Sequence, residues 1–300
     1  MKKSKMIFAA CMAFILLTLC GCTSFQDNAS FAASKPSSTS ASSVISEDSQ
    51  LKVIFLDVGQ GNAQLILTPS GKTMLIDGGN NGREKDMFNY IKQYNVKKID
   101  VLVGSHPDAD HIGTFPELVD ALDIGAVYLP RASSNTKTYE ALLTSIKNKG
   151  LRIKTAKTGV TIDLDEKIKV VMVAPADTYE DTNNMSAVVK ITYGQQSFLF
   201  PGDAEYKSEQ DMIKSGAELG STVLAVGHHG SNSSTSVGFL KKVKPLYAVI
   251  QVGEDNKYGH PTEKTLKKLE NQKVKILRTD KNGSITFTTD GSSLKVATDK

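Results

Sequence analysis

From Leu51 onward the apolar positions fall mostly into short β-branched runs bounded by glycine and turn-forming residues, as in "LKVIFLDVG", "AQLILT" (63–68) and "KTMLID" (72–77). Such runs predict strands. The spacing then switches to amphipathic stretches that predict helices near 84–94, 114–122 and 138–148, interleaved with strands at 100–104 and 126–130. The second half repeats this order. Strands are expected at 169–174, 186–194, 197–202, 222–227 and 247–253, with helices between several of them, and two strands near 283–297 close the chain. Antiparallel hairpins followed by β-α units predict an α/β fold of sheets covered by helices, with residues 51–300 as one domain.

The first 50 residues break the pattern. Lys2, Lys3 and Lys5 precede an unbroken apolar run from Met6 to Leu19, which reads as a secretory signal too short for a comfortable membrane span. Its end, Leu19-Cys20-Gly21-Cys22, resembles a bacterial lipoprotein cleavage box, so residues 1–22 are expected to be a lipoprotein signal with Cys22 as the lipidated residue. A plain signal peptide or an uncleaved anchor are the alternatives, and every one of these places the remainder outside the cytoplasm. Residues 23–50, rich in Ser, Ala and Thr, bury too little apolar surface to fold and are expected to form a disordered tether.

Composition then narrows the chemistry. The formal net charge is +4, and removal of residues 1–21 takes away three lysines and no acid, leaving +1. The basic balance thus belongs to the leader and makes no whole-domain case for nucleic acid. Cys11, Cys20 and Cys22 all lie in the leader as well, so the folded part has no disulfide, thiolate ligand or cysteine nucleophile.

The five histidines are placed unevenly. His106 and His111 follow the strand at 100–104, His228 and His229 follow 222–227, and His260 follows 247–253. Loops at strand ends are where a rigid scaffold presents functional groups. The segment "SHPDADH" puts His106, Asp108, Asp110 and His111 on one short loop, two imidazoles and two carboxylates able to converge on cations. The plainer alternative is an acidic turn in which Asp108 or Asp110 caps a helix.

"SHPDADHIG", with "LIDGG" before it and "LFPGD" and "HHGS" after it, resembles the metallo-β-lactamase superfamily of hydrolases. "VIFLDVGQGNAQLI", "NNMSAVVKITYGQQSFLFPGD", "LAVGHHGSNSSTS" and "YGHPTEKTLKKL" narrow the resemblance to the extracytoplasmic hydrolase domain of ComEC-type competence proteins and their free-standing relatives, over essentially all of residues 51–290. The resemblance implies a four-layer αβ/βα sandwich and two divalent metal ions, zinc or manganese. Asp108 stands where many members have a histidine, and "NNMS" where many have another, which makes the site richer in oxygen and manganese plausible.

By the same resemblance, His106 and Asp108 hold one metal, Asp110 and His111 the other, and Asp203 bridges them. His260 is expected as a further ligand, with His228 or His229 as alternatives for that place. A histidine of the "HHGS" pair acts as general acid, Asp110 orients the attacking hydroxide activated between the two metals, Ser231 contacts a phosphate, and Asn184 serves as a weak ligand or substrate contact. Asp77 orients a ligand histidine from behind; Asp57 does likewise or simply forms its turn. The activity so implied is phosphodiester hydrolysis, with DNA as the first candidate substrate and Lys241, Lys242 and Lys244 as a possible backbone track. Phosphodiesters of cell-wall polymers or lipid head groups, such as phosphorylcholine esters, are the second candidate. A degenerate surface binding protein is the third reading.

Overall fold

The computed structural model describes residues 50–300. The leader, Cys22 and nearly all of the Ser-rich segment lie outside the described residues, and so do the expectations placed on them.

In chain order the first half holds β1 (Leu51–Phe55), β2 (Gln64–Leu67), β3 (Thr73–Ile76), α1 (Glu84–Gln93), β4 (Lys98–Val103), α2 (Ala109–Ile112), α3 (Phe115–Ala121), β5 (Asp123–Leu129), α4 (Lys137–Asn148) and β6 (Ile153–Thr155). The second half holds β7 (Thr161–Asp165), β8 (Ile168–Ala174), β9 (Val188–Tyr193), β10 (Gln196–Phe200), α5 (Tyr206–Lys214), β11 (Val223–Ala225), α6 (Val237–Val243), β12 (Tyr247–Ile250), α7 (Glu263–Asn271), β13 (Lys275–Arg278), α8 (Thr279–Asn282), β14 (Ile285–Thr289) and β15 (Leu294–Thr298). One sheet runs β15-β14-β1-β2-β3-β4-β5-β6 and the other β13-β12-β11-β10-β9-β8-β7.

Strand alternation builds the layers. In β1, Val53 and Phe55 enter the core between the sheets, whereas Ile54 joins the core beneath α1, α3 and α4. In β10, Phe198 and Phe200 point between the sheets and Leu199 points to the core under α5, α6 and α7. Side chains one residue apart on a strand face opposite sides, so each sheet buries both faces and the layers are α, β, β, α. Phe55, Phe198, Phe200 and Phe287 meet at the centre, with ring centroids 5.9 Å apart for Phe55 and Phe287. Burying each such side chain contributes about 1.5–3 kcal/mol.

Strands β3 and β4 are parallel, as are β10, β11 and β12. Their C-terminal ends therefore open onto one edge of the sandwich, and every histidine and key aspartate singled out above leaves a strand on that edge. Among the described residues no helix is long and apolar enough to cross a membrane.

The elements differ from the sequence expectation in three ways. Strands β6, β7 and β13 were not anticipated: β6 is an exposed three-residue edge, the alternation of β7, with Ile162 and Leu164 inward, is diluted by polar residues, and β13 is a four-residue edge with no fully buried side chain. The expected strands at 222–227 and 247–253 stop at Ala225 and Ile250, because the chain turns out of the sheet there to form the site. The "SHPDADH" loop also contains the short helical turn α2, which carries Asp110 and His111.

Candidate metal centre

His106, Asp108, Asp110 and His111 lie between β4 and α3. Asp108 occupies the N-cap position of α2, but its side chain makes no cap hydrogen bond; it accepts from Thr182 Oγ1 at 3.2 Å and faces His106 Nε2 at 3.7 Å. The capping alternative thus gives way to an aspartate turned toward the cleft. Neighbouring backbone pins the turn: Asn62 N–H donates to the Asp110 carbonyl at 3.0 Å and Gly78 N–H to that of His111 at 2.6 Å. This closeness explains Gly61 of "GQGN", where a Cβ would lie 2.5 Å from the Asp110 carbonyl oxygen.

The second sheet supplies Asp203, just past β10, and His228 and His229, just past β11. Both histidines have φ of +52°, a left-handed conformation that costs non-glycine residues about 1–3 kcal/mol each. Backbone bonds hold the turn, with His228 N–H donating to Gly202 at 3.1 Å and Ser231 N–H to His228 at 2.7 Å.

Each of three imidazoles is fixed from behind. His111 Nδ1–H donates to Asp77 Oδ2 at 2.8 Å, and His229 Nδ1–H donates to the Gln251 carbonyl at 2.9 Å. Ser105 gives its hydroxyl proton to Asp77 (2.8 Å), so its oxygen accepts from His106 Nδ1 at 3.1 Å. All three rings therefore present a lone pair on Nε2 toward the cleft, the tautomer a metal requires. There His111 Nε2 approaches Asp203 Oδ1 to 3.1 Å and His229 Nε2 approaches Asp110 Oδ2 to 3.1 Å. Two groups of possible ligand atoms result, His106 with His111 and Asp203, and Asp110 with His111 and His229, each within 4.8 Å.

These atoms fit a cation better than they fit one another. His106 Nε2, His111 Nε2 and Asp203 Oδ1 are buried without a hydrogen-bond partner, an arrangement that costs stability unless another group completes it. Burial disfavours the charged form of His111, yet Asp203, Asp77 and Asp110 outweigh it and push that ring well above the ordinary imidazole value. Burial likewise disfavours the Asp203 carboxylate, but His111, His229 and His106 hold it well below the usual range. A field that drives protons onto buried imidazoles will hold a divalent cation in their place. Imidazole nitrogen with carboxylate oxygen suits zinc or manganese.

Several expected residues sit elsewhere. His260 lines the cleft, 5.7 Å from the His228 ring, but belongs to neither ligand group, so the histidine that the second group takes is His229. His228 is half-exposed beside the centre; its Nε2 lies 3.5 Å from Asp203 and its Nδ1 3.3 Å from Glu205 Oε1. Asn184 faces away, since its amide nitrogen is held by Asp181 and its oxygen accepts from Ser208 N–H at the start of α5; Asn183 lines the cleft in its stead. The Ser231 hydroxyl meets the site through Ser233, whose hydroxyl lies 3.3 Å from His228 Nδ1. Asp57 touches no ligand histidine. Its carboxylate accepts from Gly59 N–H at 3.2 Å, which is the turn-forming alternative. Lys241 and Lys242, in the last turn of α6, and Lys244 just after it are exposed.

Ser105, Gln251, Glu205, Asn183 and Tyr258 were not anticipated. Ser105 opens the quoted motif itself and was legible there, whereas Gln251 acts through a backbone carbonyl that no side-chain pattern reveals. The Gln251 side chain also donates to the Leu56 and Ala63 carbonyls and accepts from Gln64 Nε2, tying the two sheets together beside His229.

An αββα sandwich with an imidazole-carboxylate cluster at the strand ends defines a class of metal-dependent proteins. The chain belongs to the metallo-β-lactamase superfamily, whose family model matches residues 56–254. It is a hydrolase of that superfamily related to competence proteins. ComE operon protein 3 of Bacillus subtilis (strain 168) is 28% identical over 256 residues, covering 80% of this chain and 33% of that protein. Competence protein ComA of Neisseria gonorrhoeae is 30% identical over 242 residues, covering 80% and 32%. The chain thus spans about a third of the length of these relatives. The solved metallo-β-lactamase fold protein YhfI from Bacillus subtilis superposes with a TM-score of 0.53 at 10% identity, over 80% of this chain and 100% of that one, which shows the shared fold.

Proposed function

We propose that the chain is a phosphodiesterase that cleaves DNA outside the membrane, at a centre of two zinc or manganese ions held by His106, Asp108, Asp110, His111, Asp203 and His229. The observation that carries this reading is that the buried His106 and His111 Nε2 and Asp203 Oδ1 atoms lack hydrogen-bond partners in a cluster whose possible ligand atoms lie within 4.8 Å of one another. The competence proteins among its relatives support DNA as the substrate. When bound, two such ions neutralise charge on an attacked phosphoryl group and bring the pKa of a water near them toward neutrality.

The chain's own groups do the remaining work. Asp110, whose Oδ2 lies 3.1 Å from His229 Nε2, orients the attacking oxygen and accepts its proton. His228 stands at the mouth with Nδ1 steadied by Glu205 and Ser233, which turns Nε2, 3.5 Å from Asp203, into the cleft to give a proton to the leaving oxygen. Asn183, whose amide reaches Glu205 at 3.4 Å, and His260 border the space a phosphate would fill. Cys22 carries the lipid that tethers the enzyme to the outer face of the cell membrane.

The test is to prepare the full-length chain in detergent, measure bound metal by mass spectrometry, and assay bis-(p-nitrophenyl) phosphate and DNA with manganese or zinc and after chelation. About two ions per chain and metal-dependent cleavage of both substrates are expected. Cleavage of the small ester alone would move the substrate to wall or lipid phosphodiesters. Neither metal nor turnover would leave a binding protein. Cys22→Ser should leave the membrane fraction; its retention there would argue for an uncleaved anchor.

A further inference from the structure

Tyr258 is the most exposed large hydrophobic side chain among the described residues, at 69%, yet it is held in place beside the metal centre. One face of its ring lies against the His260 imidazole, with centroids 5.8 Å apart and planes at 26°. Asn256 locks the loop beneath: its amide nitrogen donates to the Gly253 and His260 carbonyls, and its oxygen accepts from Tyr258 and His260 N–H. The other face of the phenol is open to water. A single exposed ring is ordinary on a protein surface; what sets Tyr258 apart is that its loop is fixed by Asn256 and that it lines the cleft holding Asp110, Asp203 and His229.

The cleft below the ring measures about 140 Å³ and is shared by Tyr258, His228, His229, His260, Asp110 and Asp203. Sites that enclose a whole small molecule run to roughly 300–1,000 Å³. The cleft therefore accepts a phosphodiester group but not the nucleoside attached to it, and whatever flanks the phosphate must lie on the rim, where Tyr258 is.

We propose that Tyr258 is a stacking platform for the base next to the scissile phosphate, and that the substrate of this centre is accordingly nucleic acid with that base unstacked, a single strand or a frayed end. This rests on the phosphodiesterase reading above. Every nucleobase has a π-face, so an aromatic platform binds without sequence preference. In an intact duplex the base faces are occupied by their neighbours and the ring would have nothing to cover.

The test uses the full-length, metal-loaded protein and a short single-stranded oligodeoxynucleotide whose cleavage position has been mapped. It is supplied intact, with the base beside the scissile phosphate removed, or annealed to its complement. For the wild type, removing that base should lower kcat/KM roughly 10- to 100-fold, the range that stacking one base on an aromatic ring carries, and the duplex should be cleaved more slowly. Tyr258→Ala should lose the same factor on the intact strand and show no further loss on the abasic one, whereas Tyr258→Phe should behave as wild type. Metal content of Tyr258→Ala, measured in parallel, should stay at the wild-type level. Equal sensitivity of wild type and Tyr258→Ala to base removal would overturn the platform while leaving the nuclease standing. A wild type that cleaves phosphorylcholine esters but no DNA would overturn the nucleic-acid assignment and leave a phosphodiesterase. One that cleaves neither DNA nor bis-(p-nitrophenyl) phosphate would overturn both.

Discussion

On the first-sheet side of the cleft, His106, Asp108, Asp110 and His111 hang from six consecutive residues, three of them in or beside one turn of helix. On the second-sheet side, Asp203 comes from the end of β10 and the histidine pair from the end of β11, with both histidines in left-handed backbone. The first wall is built by local chain geometry, tightened by the approach of Gly61 and Gly78. The second exists only because β10 and β11 are parallel neighbours, so their C-terminal ends arrive together. A local wall tolerates small shifts of one sheet against the other as a unit. A composite wall moves with the strands, and the group that meets the most ring nitrogens of both walls is the one whose loss should cost most.

Asp203 is that group, since its carboxylate lies within 4.0 Å of ring nitrogens on His106, His111, His228 and His229. Asp203→Asn should lower DNA or bis-(p-nitrophenyl) phosphate turnover by roughly 10³-fold, the equivalent of several kcal/mol of charge stabilisation. Its fold, followed by circular dichroism, should be retained. A variant that keeps more than about a tenth of the rate would place the bridge between the walls elsewhere.

The next effect belongs to one wall alone. Asp77 is fully buried, and its carboxylate both accepts from His111 Nδ1 and takes the Ser105 N–H at 2.7 Å. In Asp77→Asn the amide can offer an N–H where His111 needs an acceptor, moving the imidazole proton to Nε2, the atom that faces the cleft. Metal affinity, read by competition with a chromophoric chelator, should fall roughly 10- to 100-fold. Unchanged affinity would show that the first wall sets its tautomers by some other contact.

The same difference between the walls decides what the sequence discloses. The first wall is a spaced motif, and Asp77 carries its own signal in "LIDGG"; the layered fold is likewise legible, because strand alternation and helical spacing are local properties. The choice among His228, His229 and His260 is not local. It turns on Gln251, whose carbonyl orients His229, and on a register between sheets that no run of residues encodes. Asn184 misleads for a similar reason: adjacent asparagines are equivalent as letters, and only the start of α5 decides that one is tied to Ser208 while the other faces the cleft. Asp57 and Asp77 sit in similar glycine-rich surroundings, yet only the latter lies behind a ligand. Edge strands such as β6 are missed because they bury too little for apolar patterning to register.

The smallest expected effect lies where the two halves meet away from the metals. Asp165, at the end of β7, accepts from Ser70 N–H at 3.0 Å in the turn between β2 and β3, and from Lys167 N–H at 2.8 Å in its own turn. Burial opposes its charge, but these hydrogen bonds prevail and its carboxyl is held below the ordinary value. Asp165→Asn presents an amide N–H to one of the two donors and should cost about 1 kcal/mol at neutral pH. Because the folded-state pKa is the lower one, this contribution is present above the unfolded carboxyl value of about 3.9 and is lost as pH falls through the folded value. Protonated Asp165 meets the same donors with an O–H, as the asparagine does with its N–H. Urea unfolding of the two proteins should therefore differ at pH 7 and converge as the pH falls below the ordinary carboxyl value, with metal content the same in both. A gap that persists in acid would mean that Asp165 acts through packing, and a loss of metal would mean that this far junction, as well as the strand ends, sets how the two walls face each other.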